Sequence, residues 1–220
     1  MSLPAFDNHD SRIRYYELLL ERDLAGIEEL PLPPGYRYAF YRDGDRDEWI
    51  EIERSAKEFD DYGQGLDAWG RYYADRTNAL PERMCFVLDA QCRKVATATA
   101  FYDVTGRDHS GDGWLHWVAV RRDAQGRGLS KPLITHTLRV MRELGYTHAK
   151  IPTQTTTWLA VKVYLDLGFR PLPANAEHSA AGWRIIRRLT GHPALADVLP
   201  AEDADILAEP EAGSDLTRSS

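Results

Sequence analysis

The sequence predicts an α/β (α+β) fold in which helices flank a central mixed sheet. Segments with apolar residues at helical spacing occur along the same chain as short segments rich in β-branched and aromatic residues. Two of the short segments, 84–90 and 95–102, are joined by a polar turn, which is typical of a β-hairpin. A further strand over 114–120 runs into a glycine-containing turn that opens directly into a helix over 129–144.

The first part of the chain predicts one strand followed by two helices. Residues 36–42 alternate sufficiently between apolar and polar side chains to form a strand. Asp45 is a candidate N-cap for a helix over 46–58, which carries an apolar face. We expect a loop over 62–65 and a second helix over 66–75 before the hairpin.

The second part of the chain continues with further helices and strands. The helix over 129–144 is followed by Gly145, a residue type that commonly ends helices. A short strand over 147–153 and a helix over 158–167 come next. Residues 182–189 are expected to form a final strand.

The composition favours a cytoplasmic protein with one domain and extensions. The chain has 220 residues, of which 43% are hydrophobic, and this is enough for a packed core. No apolar run approaches the ~18 residues that span a membrane, and the first residues lack the features of a signal peptide. The cysteines, Cys85 and Cys92, do not make a disulfide framework and are expected to be reduced thiols.

The charge distribution separates a central domain from an acidic end. A net charge of −7 argues against non-specific binding to nucleic acid. We expect an N-terminal extension over 1–32, a domain over 33–190 and a disordered acidic tail over 191–220. The acidic residues of this tail include Glu202, Asp203, Asp205, Glu209, Glu211 and Asp215.

The glycine-containing turn after residue 120 predicts a site for a phosphate-bearing ligand. Gly126 and Gly128 allow close approach of the backbone, and the helix that follows offers unpaired N–H groups. The dinucleotide motif GxGxxG does not fit, because Lys131 stands where its third glycine would be. The motif GxxxxGK[S/T] does not fit either, because Leu129 and Ser130 follow the second glycine. A tight turn without a ligand is the alternative.

Two segments resemble the motifs of the GNAT superfamily of acetyl-CoA-dependent N-acetyltransferases. The sequence QGRGLS at 125–130 resembles the signature Q/R-x-x-G-x-G/A, with Ser130 where glycine or alanine is usual. The sequence AVKVYLDLGF at 160–169 resembles the closing motif A-x-x-x-Y-x-x-x-G-F, with Thr157 where many members have asparagine. HWVAV and TQTTTW resemble an uncharacterised bacterial subgroup. The resemblance covers about 33–190 and implies a GNAT acyl-CoA N-acyltransferase fold, whose mostly antiparallel sheet has splayed fourth and fifth strands.

The resemblance also implies acetyl-CoA as cosubstrate. The diphosphate would lie on the amides of the turn, and the pantetheine arm would pair with the strand that precedes the turn. Pro152 is compatible with the splay, because proline removes a donor from the next strand. The expected cofactor-binding residues are Val118, Ala119, Val120, Gln125, Gly126, Arg127, Gly128, Leu129, Ser130, Lys131, Thr157 and Ala160.

The expected catalytic residues are Tyr164 and His116. Tyr164 matches the tyrosine that protonates the departing thiolate in many relatives, although a core tyrosine on this helical face would look the same. His116 would relay a proton from the attacking amine, because an imidazole titrates near neutral pH. The alternative is a histidine held within an aromatic cluster. Strand alternation would place His116 and Trp117 on opposite faces.

The acceptor site is the least determined feature of the sequence. An acidic segment with Glu53, Glu58, Asp60 and Asp61 is either a binding site for a cationic amine or a solvated face. A second open question concerns the aromatic residues, which either line an acceptor pocket or pack in the core: Trp49, Trp69, Tyr72 and Tyr73.

The predicted function is N-acetylation of an amine by direct attack on acetyl-CoA. The acceptor is expected to be a small molecule or a peptide, without nucleic-acid or membrane partners, and a homodimer is a further expectation from the resemblance. The histidines and cysteines do not have the spacing of zinc ligands, and the sequence contains no GxSxG motif of a serine hydrolase. A non-catalytic acyl-CoA-binding regulator and a partner-binding domain with an empty turn are the alternatives.

Overall fold

The computed structural model describes residues 7, 9–173, 179–196 and 205–207. The strands are β1 (Glu17–Asp23), β2 (Arg37–Phe40), β3 (Met84–Leu88), β4 (Lys94–Phe101), β5 (Gly113–Val120), β6 (His148–Gln154) and β7 (Arg170–Pro171). The helices are α1 (Arg46–Ser55), α2 (Tyr62–Tyr72), α3 (Ser130–Glu143), α4 (Trp158–Asp166) and α5 (Ala180–Thr190). None of the helices among these residues is both long and apolar enough to cross a bilayer.

The chain divides into two compact units. The larger unit holds residues 19–152 and 166–170, and the smaller unit holds residues 1–18, 153–165 and 171–220. The sheet has the order β2-β3-β4-β5-β6-β1-β7. Its pairs from β2 to β5 are antiparallel, whereas β5 and β6 are parallel. The prediction of a mixed, mostly antiparallel sheet flanked by helices is confirmed.

Strand β5 separates from β6 after its first residues. Within the described chain, the two strands are in register only at Gly113 with Ala149 and at Trp114 with Lys150. On its other side, β5 stays paired with β4 as far as Val120. The later part of β5 therefore has one hydrogen-bonded neighbour and one open edge, as the splayed arrangement predicts.

A β-bulge in β5 makes the predicted alternation of side chains wrong. The register with β4 shifts between Thr97 and Thr99, and Trp117 takes a left-handed backbone conformation with φ of 51°. The rings of His116 and Trp117 consequently both contact Tyr72, at centroid distances of 5.3 and 5.2 Å. These consecutive residues share a neighbour, whereas the sequence predicted opposite faces.

The connection between α1 and α2 also differs from the prediction. The residues 62–65 form the first turn of α2 instead of a loop, because the Asp61 carboxylate accepts a hydrogen bond from the Gln64 amide at 2.9 Å. Gly65 is required by packing, since a Cβ there would lie 2.5 Å from Cγ2 of Ile50. The two helices therefore approach each other closely. After Tyr72 the chain continues as a 3₁₀ segment over Ala74–Glu82 instead of extending the α-helix.

The predicted final strand over 182–189 is wrong, because this segment lies in helix α5. Gly182 packs so tightly that an added Cβ would lie 2.7 Å from Cβ of Tyr16, within the smaller unit. Ile185 of α5 is buried in a cluster with Ile13 and Ile206. Ile206 belongs to the segment predicted as a tail, and residues 197–204 and 208–220 of that segment lie outside the described residues.

Candidate active site

The turn between β5 and α3 has the conformation that its glycines predict. Gly126 and Gly128 have φ values of 74° and 77°, a region that residues with a Cβ seldom adopt. A Cβ on Gly126 would meet nothing within 4 Å, so backbone conformation, not space, requires glycine at this position. The turn leads directly into α3, which begins at Ser130.

The backbone amides of this turn form a continuous set of unpaired donors. Among the described residues, no acceptor is hydrogen-bonded to an amide between 126 and 131. Pro132 has no N–H group, and the next amide, that of Leu133, donates to the Leu129 carbonyl at 3.1 Å. Because these donors lie at the positive end of a helix of 14 residues, the geometry suits an anion, as the sequence predicts.

The side chains of the turn hold it in place. Gln125 donates from Nε2 to the Val120 carbonyl at 3.0 Å, which fastens the turn to the end of β5. The Arg127 guanidinium donates to the Asp123 carbonyl at 2.8 Å and to the hydroxyl of Tyr36 at 3.2 Å. Lys131, a candidate phosphate ligand, lies 3.0 Å from the Asp166 carboxylate, which offsets its charge. The donors that the turn offers to an anion are therefore mainly backbone groups.

The open edge of β5 leads into this turn. Ala119 and Val120 pair with Thr97 and Ala96 of β4 on one side. On the side of β6, no described residue is in register with the stretch 118–120. Backbone groups on such an edge can pair with an extended ligand as an added strand would. The predicted pantetheine-binding residues Val118, Ala119 and Val120 therefore lie on an edge that suits this role.

His116 is a buried, neutral histidine. Its Nε2 lies 3.2 Å from the Tyr102 carbonyl, and because a carbonyl only accepts, Nε2 is assigned the proton. Burial lowers the pKa of the imidazole to about 4. The ring also contacts Tyr72 and Phe101. These contacts agree with the structural role, while the neutral ring still has Nδ1 as a proton acceptor.

The remaining predicted site residues belong to the smaller unit. Tyr164 of α4 is buried, next to Val161 and Leu165 on the same helix. The hydroxyl of Thr157 donates to the Gln154 carbonyl at 3.0 Å and lies 3.1 Å from the hydroxyl of Thr153. The hydroxyl of Thr157 therefore serves the local turn. Ala160 is half-buried in the first turn of α4.

An aromatic cluster occupies the space between α1, α2 and β5 in the larger unit. We define it by the residues Trp49, Phe59, Trp69, Tyr72, Tyr73 and Trp117. The Trp49 ring lies at its centre, with centroid distances of 5.4 Å to Trp69, 5.6 Å to Tyr73 and 5.5 Å to Trp117. The sequence indicates four of these residues as pocket or core residues, but not Phe59 or Trp117. Trp117 lies on a strand and faces α1 and α2 because of the β-bulge, so helical spacing could not predict its place in the cluster.

The predicted acidic segment does not form one surface. Asp60 and Asp61 are exposed and Glu58 is half-buried, whereas Glu53 has no exposed surface. Neither carboxylate oxygen of Glu53 has a hydrogen-bond partner among the described residues. Burial, together with the charge of Glu58, raises the pKa of Glu53 well above its usual value. The sequence signal was available, because Glu53 follows Trp49 by one helical turn on the apolar face of α1.

The comparisons with known proteins agree with this geometry. The acetyltransferase (GNAT) family model matches residues 46–169, which is more than half of the chain. The mycothiol acetyltransferase of Actinosynnema mirum is 27% identical over 164 residues, covering 73% of this chain and 54% of that protein. The chain thus spans about half the length of this curated relative.

Solved structures show the same fold at low sequence identity. A GCN5-related N-acetyltransferase from Sphaerobacter thermophilus matches with a TM-score of 0.57 and 18% identity, over 73% of this chain and 49% of that one. An acetyltransferase of the GNAT family from Colwellia psychrerythraea matches with a TM-score of 0.54 and 11% identity, over 73% and 55% of the two chains. With the match to the family model, the chain belongs to the GNAT family of acetyltransferases.

Proposed function

We propose that this protein transfers the acetyl group of acetyl-CoA to an amino group of an acceptor. The set of unpaired amides over 126–131, at the beginning of α3, is the observation that supports this most strongly. A diphosphate offers several acceptor oxygens and negative charge to such a set. The open edge of β5 next to it suits the amide groups of a pantetheine arm.

The reaction would be a direct attack of the amine on the thioester that acetyl-CoA supplies. A nitrogen–carbon bond forms, the carbon–sulfur bond breaks, and the CoA thiolate leaves. The thiolate gains a proton, for which we propose the Tyr164 hydroxyl on the strength of the sequence motif alone. The amine loses a proton, and neutral His116 would relay it to solvent through Nδ1. Its pKa of about 4 keeps the ring neutral at pH 7 and makes it a weak base, so it would hold the proton only in transit.

The acceptor, location and assembly are proposed on weaker grounds. An acceptor with a primary amino group, either a small molecule or a peptide, follows from the family chemistry. Cys85 and Cys92 are both free thiols in the structure, which suits the reducing cytoplasm that we propose as the location. Nucleic-acid or membrane partners are not part of the proposal, and a homodimer remains a prediction from the family.

Calorimetric titration with acetyl-CoA tests the proposal directly. We expect the wild type to bind and Gly128→Ala to bind at least tenfold more weakly, because a Cβ disfavours the φ of 77° that orients the amides. Gly44→Ala is the matched control, since Gly44 has a φ of 97° and lies in the turn before α1. Wild-type protein that is folded but does not bind acetyl-CoA would contradict the proposal.

A thiol-release assay with a panel of primary amines separates the enzyme from a regulator. We expect CoA to be released in the presence of at least one amine and not in its absence. Binding of acetyl-CoA without turnover across the panel would favour the non-catalytic regulator instead.

A further inference from the structure

We infer that Glu29 is a positioning residue for the turn between β5 and α3, because it fastens a proline-rich strap against α3. The strap is the segment 29–36, which leads into β2. This inference rests on the proposed function, in which the turn holds the diphosphate of acetyl-CoA. The strap lies within the larger unit and precedes residues 46–169, the part of the chain that matches the family model.

The first end of the strap is bound to the middle of α3. The Glu29 carboxylate lies 2.7 Å from Nδ1 of His136 and accepts a hydrogen bond from the Arg139 guanidinium. Because a carboxylate accepts hydrogen bonds, Nδ1 of His136 is assigned the proton. The Leu30 amide donates to the Thr135 hydroxyl at 3.0 Å. Two neighbouring residues of the strap are thus bound to three residues of one helix.

His136 gives this end of the strap a fixed point of attachment. Its side chain is buried, with 5% of its surface exposed. The imidazole stacks on the ring of Tyr38 in β2, with a centroid distance of 3.7 Å and 9° between the ring planes. The hydrogen bond to Glu29 therefore joins the strap to a ring that α3 and β2 already hold.

The second end of the strap lies against the glycine-containing turn. The Tyr36 hydroxyl accepts a hydrogen bond from the Arg127 guanidinium at 3.2 Å. A Cβ built on Gly128 would lie 3.8 Å from Cγ of Pro33, which is ordinary van der Waals contact. The strap therefore adjoins the backbone of the turn and holds the Arg127 side chain beside it.

Prolines connect the two ends of the strap. Pro31, Pro33 and Pro34 lie between Glu29 and Tyr36. Because the proline ring fixes φ, a segment rich in proline behaves as a semi-rigid spacer. We therefore expect a displacement at Glu29 to reach Pro33 instead of being absorbed by the chain between them.

The strap has little buried surface to hold it on the fold. None of the residues 29–36 is fully buried, and Leu30 is 37% exposed. Segments with few buried apolar contacts separate from a fold at low free-energy cost. The position of the strap therefore depends on the polar contacts at its two ends, and Glu29 supplies two of them.

Thermodynamic linkage connects the strap to binding of the cosubstrate. The fastened strap favours the conformation of the turn and of Arg127 that suits an anion. A bound anion must then favour the fastened strap to the same extent, because coupling between two sites is reciprocal. Release of the strap should weaken acetyl-CoA binding, and acetyl-CoA should protect the strap.

Calorimetric titration with acetyl-CoA compares Glu29→Ala with Glu28→Ala. Glu28 is the matched control, because it is exposed and precedes Glu29 directly. We expect Glu29→Ala to bind acetyl-CoA about fivefold more weakly than the wild type, and Glu28→Ala to bind it equally well. A purely structural role of Glu29 would lower the melting temperature and leave the affinity of the folded protein unchanged. Wild-type affinity in folded Glu29→Ala would overturn the inference.

A second pair of variants tests the other end of the strap. Tyr36→Phe removes the hydroxyl that holds Arg127, and we expect it to weaken acetyl-CoA binding about threefold. Tyr62→Phe is the matched control, since the Tyr62 hydroxyl donates to Asp47 at the surface. Equal affinities in the two variants would contradict the role of this end.

Hydrogen exchange in the wild type covers the case in which Glu29→Ala does not fold. The Leu30 amide is the reporter, and we expect saturating acetyl-CoA to slow its exchange about fivefold. The Ala25 amide, which donates to Asp23 outside the strap, should exchange at an unchanged rate. Bound acetyl-CoA without protection of Leu30 would overturn the inference alone. Wild type that does not bind acetyl-CoA would count against the proposed function instead.

Discussion

The glycine turn and the aromatic cluster, both in the larger unit, differ in the kind of chemical group that they offer. The turn between β5 and α3 offers backbone amides, and its side chains serve to hold the turn in place. The aromatic cluster offers side chains, and its backbone contributes only their positions. A backbone site can serve any sequence that keeps the conformation, whereas a side-chain site changes with each substitution.

The variant Ser130→Asp tests the backbone site with the largest expected effect. A carboxylate in the first turn of α3 stabilises the helix by about 0.5 kcal/mol and repels a bound diphosphate. We expect acetyl-CoA affinity to fall roughly a thousandfold, which is about 4 kcal/mol, while the melting temperature rises slightly. Ser130→Ala, which restores a residue usual in the family motif, should bind acetyl-CoA as the wild type does. Retained affinity in Ser130→Asp would mean that the phosphates lie elsewhere.

The contrast also explains what the sequence could and could not predict. Gly126 and Gly128 predict the turn, because few other residues adopt positive φ. The bulge at Trp117 has no such marker, since a register shift of one residue leaves the composition of β5 unchanged. Side chains that depend on that register, and hence the contact between His116 and Tyr72, could not be placed from the sequence.

The helices show the same limit. Gly63 and Gly65 suggested a loop, but Asp61 caps a helix there, and Gly65 is retained for close packing against Ile50. In α5, Trp183 and Ile185 alternate as in a strand. The tertiary packing of this segment favours the helix, so local pattern alone was insufficient.

The pH dependence of stability tests whether His116 is buried as a neutral ring. Its folded pKa of about 4 lies below the value of about 6.5 in an unfolded chain, so the unfolded state binds more protons between these values. The contribution of His116 to the free energy of unfolding is therefore fully present above pH 6.5. It is lost as the pH falls toward 4, by up to about 3 kcal/mol. Urea unfolding of His116→Gln should lack this component. An identical pH dependence in wild type and variant would show that His116 is solvated.

The variant Tyr164→Phe tests the one catalytic residue that rests on the sequence motif. Removing the hydroxyl should lower kcat about a hundredfold, because general acid catalysis of thiolate departure is lost. The KM for acetyl-CoA should change little, since the ring and its packing are kept. Thiol release in steady state measures both constants. An unchanged kcat together with an unchanged melting temperature would assign Tyr164 to the core alone.

The smallest expected effect is on stability, and it tests whether the fold needs the buried carboxyl group of Glu53. The raised pKa of Glu53 means that the unfolded state releases its proton first, so this group destabilises the fold as the pH rises above about 4.5. Glu53→Gln should therefore gain stability relative to the wild type as the pH rises from 4.5 to 8. Urea unfolding at the two pH values measures the difference. A carboxyl group required for packing would instead make the variant less stable at both pH values. A gain in stability at pH 8 would show that the fold does not need the buried carboxylate.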